Sequence, residues 1–140
     1  MEKTALVLDA SVLLKWYYDE NDSDKAIAIR DKFNRSELDI LVPQILYYEV
    51  SNVFRYNKMY ELAEKNRMIN NLFSLGLETR LLSSEDMIIA NELANTCNVT
   101  IYDAVYLSLA RQLGIPLVTA DEEFVKKVRA KDAVALNDWK

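Results

Sequence analysis

The feature that most restricts this chain is its repeated alternation of short apolar runs with stretches of helical periodicity. TALVL (4–8) and IPLVT (115–119) are almost wholly apolar, the pattern of strands covered on both faces of a sheet. LDILV (38–42), LETRLL (77–82) and AVAL (133–136) read as three further strands. Between them lie helical segments: SVLLKWYY, Asp24–Asn34, the run entered at Pro43 and carried through QILYYEVSNVFRY, and residues 60–75 ending near Gly76. Ser83 and Asp86 resemble a capping pair for a helix running through Asn95. A helix containing Asp103 closes at Gly114, and DEEFVKKVR forms a last one. Pro43 suits a first helical turn, where its missing N–H is no loss. Strands alternating with helices predict an α/β architecture with a parallel sheet and right-handed crossovers. No repeat or linker divides the 140 residues, so one domain over 1–140 is expected.

The composition excludes more chemistry than it suggests. The chain has no histidine, which rules out Ser-His-Asp and Cys-His nucleophilic systems, a histidine base and an imidazole zinc site. Catalysis must rest on carboxylates, hydroxyls, lysine or an oxygen-held metal. Two glycines leave no glycine-rich phosphate loop, and the single Cys97 cannot form an internal disulfide. A buried thiol in a reducing cytoplasm is expected. Uncharged runs such as ILVPQILYY fall well short of the about 18 residues a membrane span needs, and MEKTALVLD does not read as a secretory leader. A net charge of −5 disfavours bulk affinity for polyanions, although a local basic rim or a bound cation could reverse that.

Against this background, four acids stand out by position. In open parallel sheets, ligands gather beyond the carboxyl ends of the strands. Asp9 directly follows TALVL, and Asp121 lies two residues after IPLVT. At 100° per residue, Asp103 falls on the apolar arc of its helix with Tyr102, Val105, Tyr106, Leu107, Leu109, Ala110 and Leu113. Glu49 falls between Ile45 and Val53 on the apolar stripe of its own helix. An unpaired inward carboxylate costs on the order of several kcal/mol.

Each acid also has an ordinary reading. Asp9 can cap the next helix, and Asp103 can be the last member of a T-x-x-D box headed by Thr100. Asp121 can be a first-turn acid favoured by the helix dipole, and Glu49 can be an edge residue reaching solvent. All four readings would have to hold together, and no lysine or arginine recurs beside each acid to neutralise it. Hard Mg²⁺ or Mn²⁺, which takes oxygen ligands and leaves room for phosphate oxygens, resolves the repulsion. Such an ion can activate water for attack on a phosphodiester without histidine.

At this point the residues resemble a PIN-domain ribonuclease of the small prokaryotic type, to which VapC toxins belong. The resemblance runs from VLDASVLLKW to LVTADEEF and rests on four ordered elements: LDAS, YYEVSN, TIYDAVYLSLA and TADEEF. It implies a three-layer sandwich with a central parallel five-stranded sheet flanked by helices. It also implies that Asp9, Glu49, Asp103 and Asp121 form a metal-binding, catalytic acidic site. Thr119 would support that site through its hydroxyl, holding Asp9 or a water on the metal. Ser11 matches a position where the family often has a small hydroxyl residue. The implied activity is Mg²⁺- or Mn²⁺-dependent endonucleolytic cleavage of RNA with a 5′-phosphate product. Homodimers are common in the family, and the toxins among them are inhibited by a VapB-type antitoxin.

Lys15, Arg55, Lys58, Lys126 and Lys127 are candidate RNA contacts, chosen for nearness in sequence to the acids. Trp16, Tyr17, Tyr18, Tyr47, Tyr48, Phe54, Tyr56 and Tyr60 could stack bases, although core or dimer-interface roles suit most of them. Two phosphotransfer alternatives are disfavoured. A haloacid-dehalogenase-type site wants an Asp where Ser11 stands, and a receiver-type site wants an Asp where Leu82 and Ser83 end the third strand. A non-catalytic PIN-like binding module and a housekeeping RNA-processing nuclease are the remaining alternatives.

Overall fold

A computed structural model describes residues 3–129 and 131–140; the first two residues of MEKTALVLD lie outside them. Five strands form one sheet: β1 (Thr4–Leu8), β2 (Leu38–Pro43), β3 (Glu78–Arg80), β4 (Leu117–Thr119) and β5 (Ala133–Ala135). Their order is β3-β2-β1-β4-β5, and every pairing is parallel. Among the described residues seven helices connect them: α1 (Ala10–Leu13), α2 (Ser23–Asn34), α3 (Ile45–Tyr56), α4 (Leu62–Phe73), α5 (Ser84–Cys97), α6 (Ile101–Leu113) and α7 (Glu122–Val128).

The strand order dictates the layers. From β1 the chain winds outward through β2 to β3, then crosses back to β4 and winds the other way to β5. With right-handed crossovers, α1–α4 cover one face and α5–α7 the other. The winding reverses between β1 and β4, and the crevice at such a switch point is where an open α/β sheet presents its carboxyl ends to a ligand. Leu6, Val7 and Leu8 are fully buried on both faces of β1, as a doubly covered central strand requires. On one face Phe54 of α3 packs edge-on to Tyr17 at 5.0 Å between ring centres. On the other, Ala90 and Ala94 of α5 meet Ala104 and Val105 of α6; the small side chains let the two helices approach closely.

Several boundaries differ from the sequence expectation, each for a local reason. Pro43 ends β2 rather than opening α3. The proline holds Val42 extended, and the Gln44 N–H then continues the ladder to the Arg80 carbonyl at 3.2 Å. β4 starts at Leu117 rather than Ile115, because Pro116 has no N–H to give; its carbonyl still accepts from Val7 at 2.9 Å. LETRLL shortens to Glu78–Arg80 at the sheet edge, where all three residues are exposed. The predicted helix after β1 is one turn of α1 followed by a 3-10 turn at Leu14–Trp16, and Leu136 leaves β5 for a second such turn. Residues 60–75 shorten to α4. Cys97 is half-buried rather than buried. The capping box of Ser83 and Asp86 is complete, and Gly114 closes α6 at φ 66°, a left-handed angle that glycine adopts without a Cβ penalty. No described helix is long and apolar enough to cross a membrane.

Candidate active site

Asp9 leaves β1 at the switch point, where its own N–H bonds the Val118 carbonyl of β4 at 3.0 Å. Its Oδ2 accepts from the Ser11 hydroxyl, from the Thr119 hydroxyl at 3.0 Å and from the Ser11 N–H at 3.3 Å. The two hydroxyls that donate to Asp9 also accept. Ser11 Oγ takes the Ala120 N–H at 3.0 Å, and Thr119 Oγ1 takes the Asp121 N–H at 3.1 Å. One hydroxyl network therefore ties the end of β1 to the turn after β4. Thr119 is buried, so its orientation is fixed by packing as well as by these bonds.

The other acids approach from the helices. Glu49, half-buried on α3, accepts at Oε1 from the Tyr106 hydroxyl of α6 at 2.6 Å. Asp103 sits in the first turn of α6, and its N–H is capped by Thr100 Oγ1 at 3.2 Å. Asp121 is the cap of α7, its Oδ1 accepting from the Phe124 N–H at 3.0 Å. The ordinary capping roles of Asp9, Thr100 and Asp121 are thus real, and they coexist with the gathering of charge. Asp121 occupies the cap itself rather than the first turn.

Electrostatics shows which acids feel one another. Burial raises the Asp9 carboxyl, Ser11 and Thr119 donation opposes the rise, and the Asp103 charge adds to it. Burial pushes Glu49 up to about 7, against the Tyr106 hydrogen bond and with the help of Asp9 and Asp103. Asp103 is raised by burial and by Asp121, and lowered by its Thr100 hydrogen bond and by Lys127. Tyr106 is driven well above the usual phenol range by burial beside Asp9 and Glu49. None of the ion pairs among the described residues involves Asp9, Glu49, Asp103 or Asp121. The centre is an all-oxygen donor set whose negative charge Lys127 offsets in part at Asp103, which suits a hard divalent cation. No three acidic side chains among the described residues converge at metal-ligand spacing, so side-chain rotation would have to close the set around an ion.

Three clefts surround the acids. One of about 370 Å³ holds Asp121 with Lys15, Asp22, Glu122 and Glu123. A second of about 330 Å³ lies between Asp103 and Asp121, with Thr100 and Lys127 in its wall. A third of about 560 Å³ runs between α3 and α6 past Glu49 and Asp103.

The structure thus places Asp9, Glu49, Asp103 and Asp121 within electrostatic reach of one another as a connected series, with Ser11 and Thr119 bonded to Asp9 and with Glu49, Asp103 and Asp121 lining the clefts. Of the candidate RNA contacts, Lys15 and Lys127 line the clefts. Lys126 pairs loosely with Glu123 at 3.9 Å, Arg55 lies 4.8 Å over the Tyr56 ring, and Lys58 lies exposed after α3. Neither Arg55 nor Lys58 lines any of the three clefts. Tyr106, assigned by periodicity to the core, is a buried residue whose hydroxyl serves the site; its place one turn after Asp103 was the available signal. Tyr102, expected in the apolar arc, is 58% exposed, although Ile101 and Asp103 beside it are half-buried and Ala104 is buried.

The PIN domain profile matches residues 6–130, from the core of β1 to beyond α7. The chain belongs to the PIN-domain family. PIN domains are generally nucleases that hydrolyse RNA and use divalent metal ions. No curated protein matches the chain. Among solved structures, PAE2754 from Pyrobaculum aerophilum is 25% identical, with a TM-score of 0.64 over 96% of this chain and 90% of that one. DNA-bound VapBC from Salmonella typhimurium superposes with a TM-score of 0.70 at 14% identity, covering 95% and 98% of the two chains. A toxin-antitoxin complex from Klebsiella pneumoniae gives 0.71 at 12% identity, covering 94% and 97%. At these identities the latter two share the PIN fold with this chain.

Proposed function

We propose that this PIN domain is a Mg²⁺- or Mn²⁺-dependent endoribonuclease, a single catalytic domain over residues 1–140 acting in the cytoplasm as the toxin of a VapBC-type pair. The observation that carries the reading is that Asp9, Glu49 and Asp103 each stand where burial and a neighbouring acid raise them, and none of them has an ion pair among the described residues, Lys127 acting on Asp103 from a distance. Asp9, Asp103 and Glu49 would hold the principal ion, and Asp121 would complete the set or hold a second. When bound, the ion would supply charge neutralisation at the scissile phosphate and a lowered pKa for the attacking water.

The chain's own residues do the rest. Ser11 and Thr119 fix Asp9, Thr119 also fixes the backbone of Asp121, and Tyr106 fixes Glu49. Lys127, beside Asp103, gives the entering phosphate a positive partner; Lys15 pairs with Glu20 at 3.9 Å and shares the cleft beyond Asp121 with Asp22, Glu122 and Glu123. Exposed Tyr56, Met59, Leu62 and Phe73 on and between α3 and α4 leave an apolar face that a second copy or a VapB-type antitoxin would cover.

A second reading, a PIN-like module that binds without cutting, is favoured by the absence of three acids at ligand spacing among the described residues. Incubation of mixed single-stranded RNA with the purified protein and Mn²⁺ separates the two. The nuclease gives 5′-phosphate fragments that disappear with EDTA and with Asp103→Asn. The binding module gives no metal-dependent fragments from any RNA offered.

A further inference from the structure

Two of the helices that carry the site repeat one dipeptide pattern, an aromatic followed by the acid: Tyr48-Glu49 on α3 and Tyr102-Asp103 on α6. In each pair the acid is half-buried toward the crevice while the tyrosine is turned out, with Tyr48 67% and Tyr102 58% exposed. Both tyrosines line the same cleft of about 560 Å³, together with Glu49, Asp103, Ile45 and Asn52. Large aromatics left in water forgo the burial that favours them elsewhere. Here they flank the acids instead.

We infer that this cleft is a nucleobase subsite, in which an unpaired base next to the scissile phosphate stacks on Tyr48 and Tyr102 and presents its edge to the Asn52 amide. The inference rests on the nuclease reading and adds the side from which the strand enters. Base–aromatic stacking tolerates any base because each has a π-face, and an amide both donates and accepts toward a base edge. The distribution of charge gives the strand its direction. Lys127 lies on the opposite side of Asp103, in the adjoining cleft with Asp121, so phosphates run on the α7 side and the base on the α3 side. The cleft beyond Asp121 sets Asp22, Glu122 and Glu123 against Lys15, which Glu20 already engages at 3.9 Å, and repels a backbone. A protein surface laid over Tyr48 and Tyr102 would desolvate Glu49 and Asp103 further without neutralising them, whereas a nucleotide leaves the crevice open to a cation.

The test measures binding of a short single-stranded polyadenylate, and of a ribose-phosphate strand of equal length lacking bases, in EDTA at low ionic strength. Tyr48→Ala and Tyr102→Ala should each weaken polyadenylate binding about 5- to 100-fold. Tyr48→Phe and Tyr102→Phe should bind like the parent. The baseless strand should bind the parent and all four variants alike. Ala variants that bind polyadenylate as the parent does overturn the subsite, as does a parent that binds both strands equally. Ala variants that leave RNA binding unchanged but halve the mass in sedimentation equilibrium overturn it in favour of an interface between copies of the chain. The Mn²⁺-induced rise in the thermal midpoint of the parent is read in parallel. Failure of the subsite leaves that rise intact, whereas failure of the nuclease reading abolishes it.

Discussion

Replacing Glu49 with Gln should make the metal-free protein more stable than its parent in mildly alkaline buffer, and should leave it nearly unchanged in acid. Glu49 is ordinary at 4.5 in an unfolded chain and rises to about 7 in the fold, chiefly through burial. Between those values the folded chain holds a proton that the unfolded chain has lost. Stability therefore falls as pH rises across that window and levels off above it. Each tenfold gain in proton affinity on folding is worth about 1.4 kcal/mol; because Glu49 is only half-buried, solvent screening leaves about 1–2 kcal/mol. Gln keeps an oxygen for the Tyr106 hydroxyl and removes the charge, so the variant lacks this loss. At this length about 1 kcal/mol moves the midpoint by several degrees. Thermal melts in EDTA at about pH 5 and about pH 8 bracket the window. The midpoint of Glu49→Gln minus that of the parent should be several degrees larger at the higher pH. A difference that is the same at both values would refute the reasoning, because it would show that Glu49 ionises in the fold as freely as in water.

Tyr106→Phe keeps the packed ring and removes the donor to Glu49. Urea unfolding should show a loss of about 1–3 kcal/mol, larger above pH 7 where the acceptor is charged, and a correspondingly weaker Mn²⁺ response. Thr119→Val keeps the volume and removes both the donor to Asp9 and the acceptor for the Asp121 N–H. It should cost about 1–3 kcal/mol in the same assay and slow RNA cleavage, because the end of β1 and the turn after β4 lose their link.

The layers of this fold were legible because β1 is apolar on both faces and because helical and strand periods alternate cleanly. The winding order was not, since periodicity carries no information about which strands neighbour one another. Two of the boundary errors fell at prolines: Pro43 and Pro116 each fit two local structures, and the sheet ladder decided between them. Asp9 and Asp121 could be placed from sequence because the one or two residues after a parallel strand's carboxyl end lie where an open sheet presents its ligand side. Glu49 and Asp103 could be placed only by their lying on apolar arcs. The arc of α6 reaches too far at Tyr102, the one exposed residue of a first turn that is otherwise half-buried or buried, and it hides the hydroxyl of Tyr106 inside a core assignment. A period of 3.6 residues tells which face a residue occupies, not whether its polar tip finds a partner across the crevice.

The most direct test of a shared metal site is the thermal midpoint with and without Mn²⁺ for the parent, Asp9→Asn and Asp103→Asn. If these carboxylates share an ion, Mn²⁺ stabilises the folded parent by mass action, about 2.7 kcal/mol at a hundredfold excess over the dissociation constant. Each Asn variant then loses most of that response while being no less stable than the parent in EDTA, since a repelling charge has gone. A parent whose midpoint ignores Mn²⁺, with Asp103→Asn simply destabilised, would contradict a shared ion. It would leave Asp103 as a residue of the helix start and nothing more.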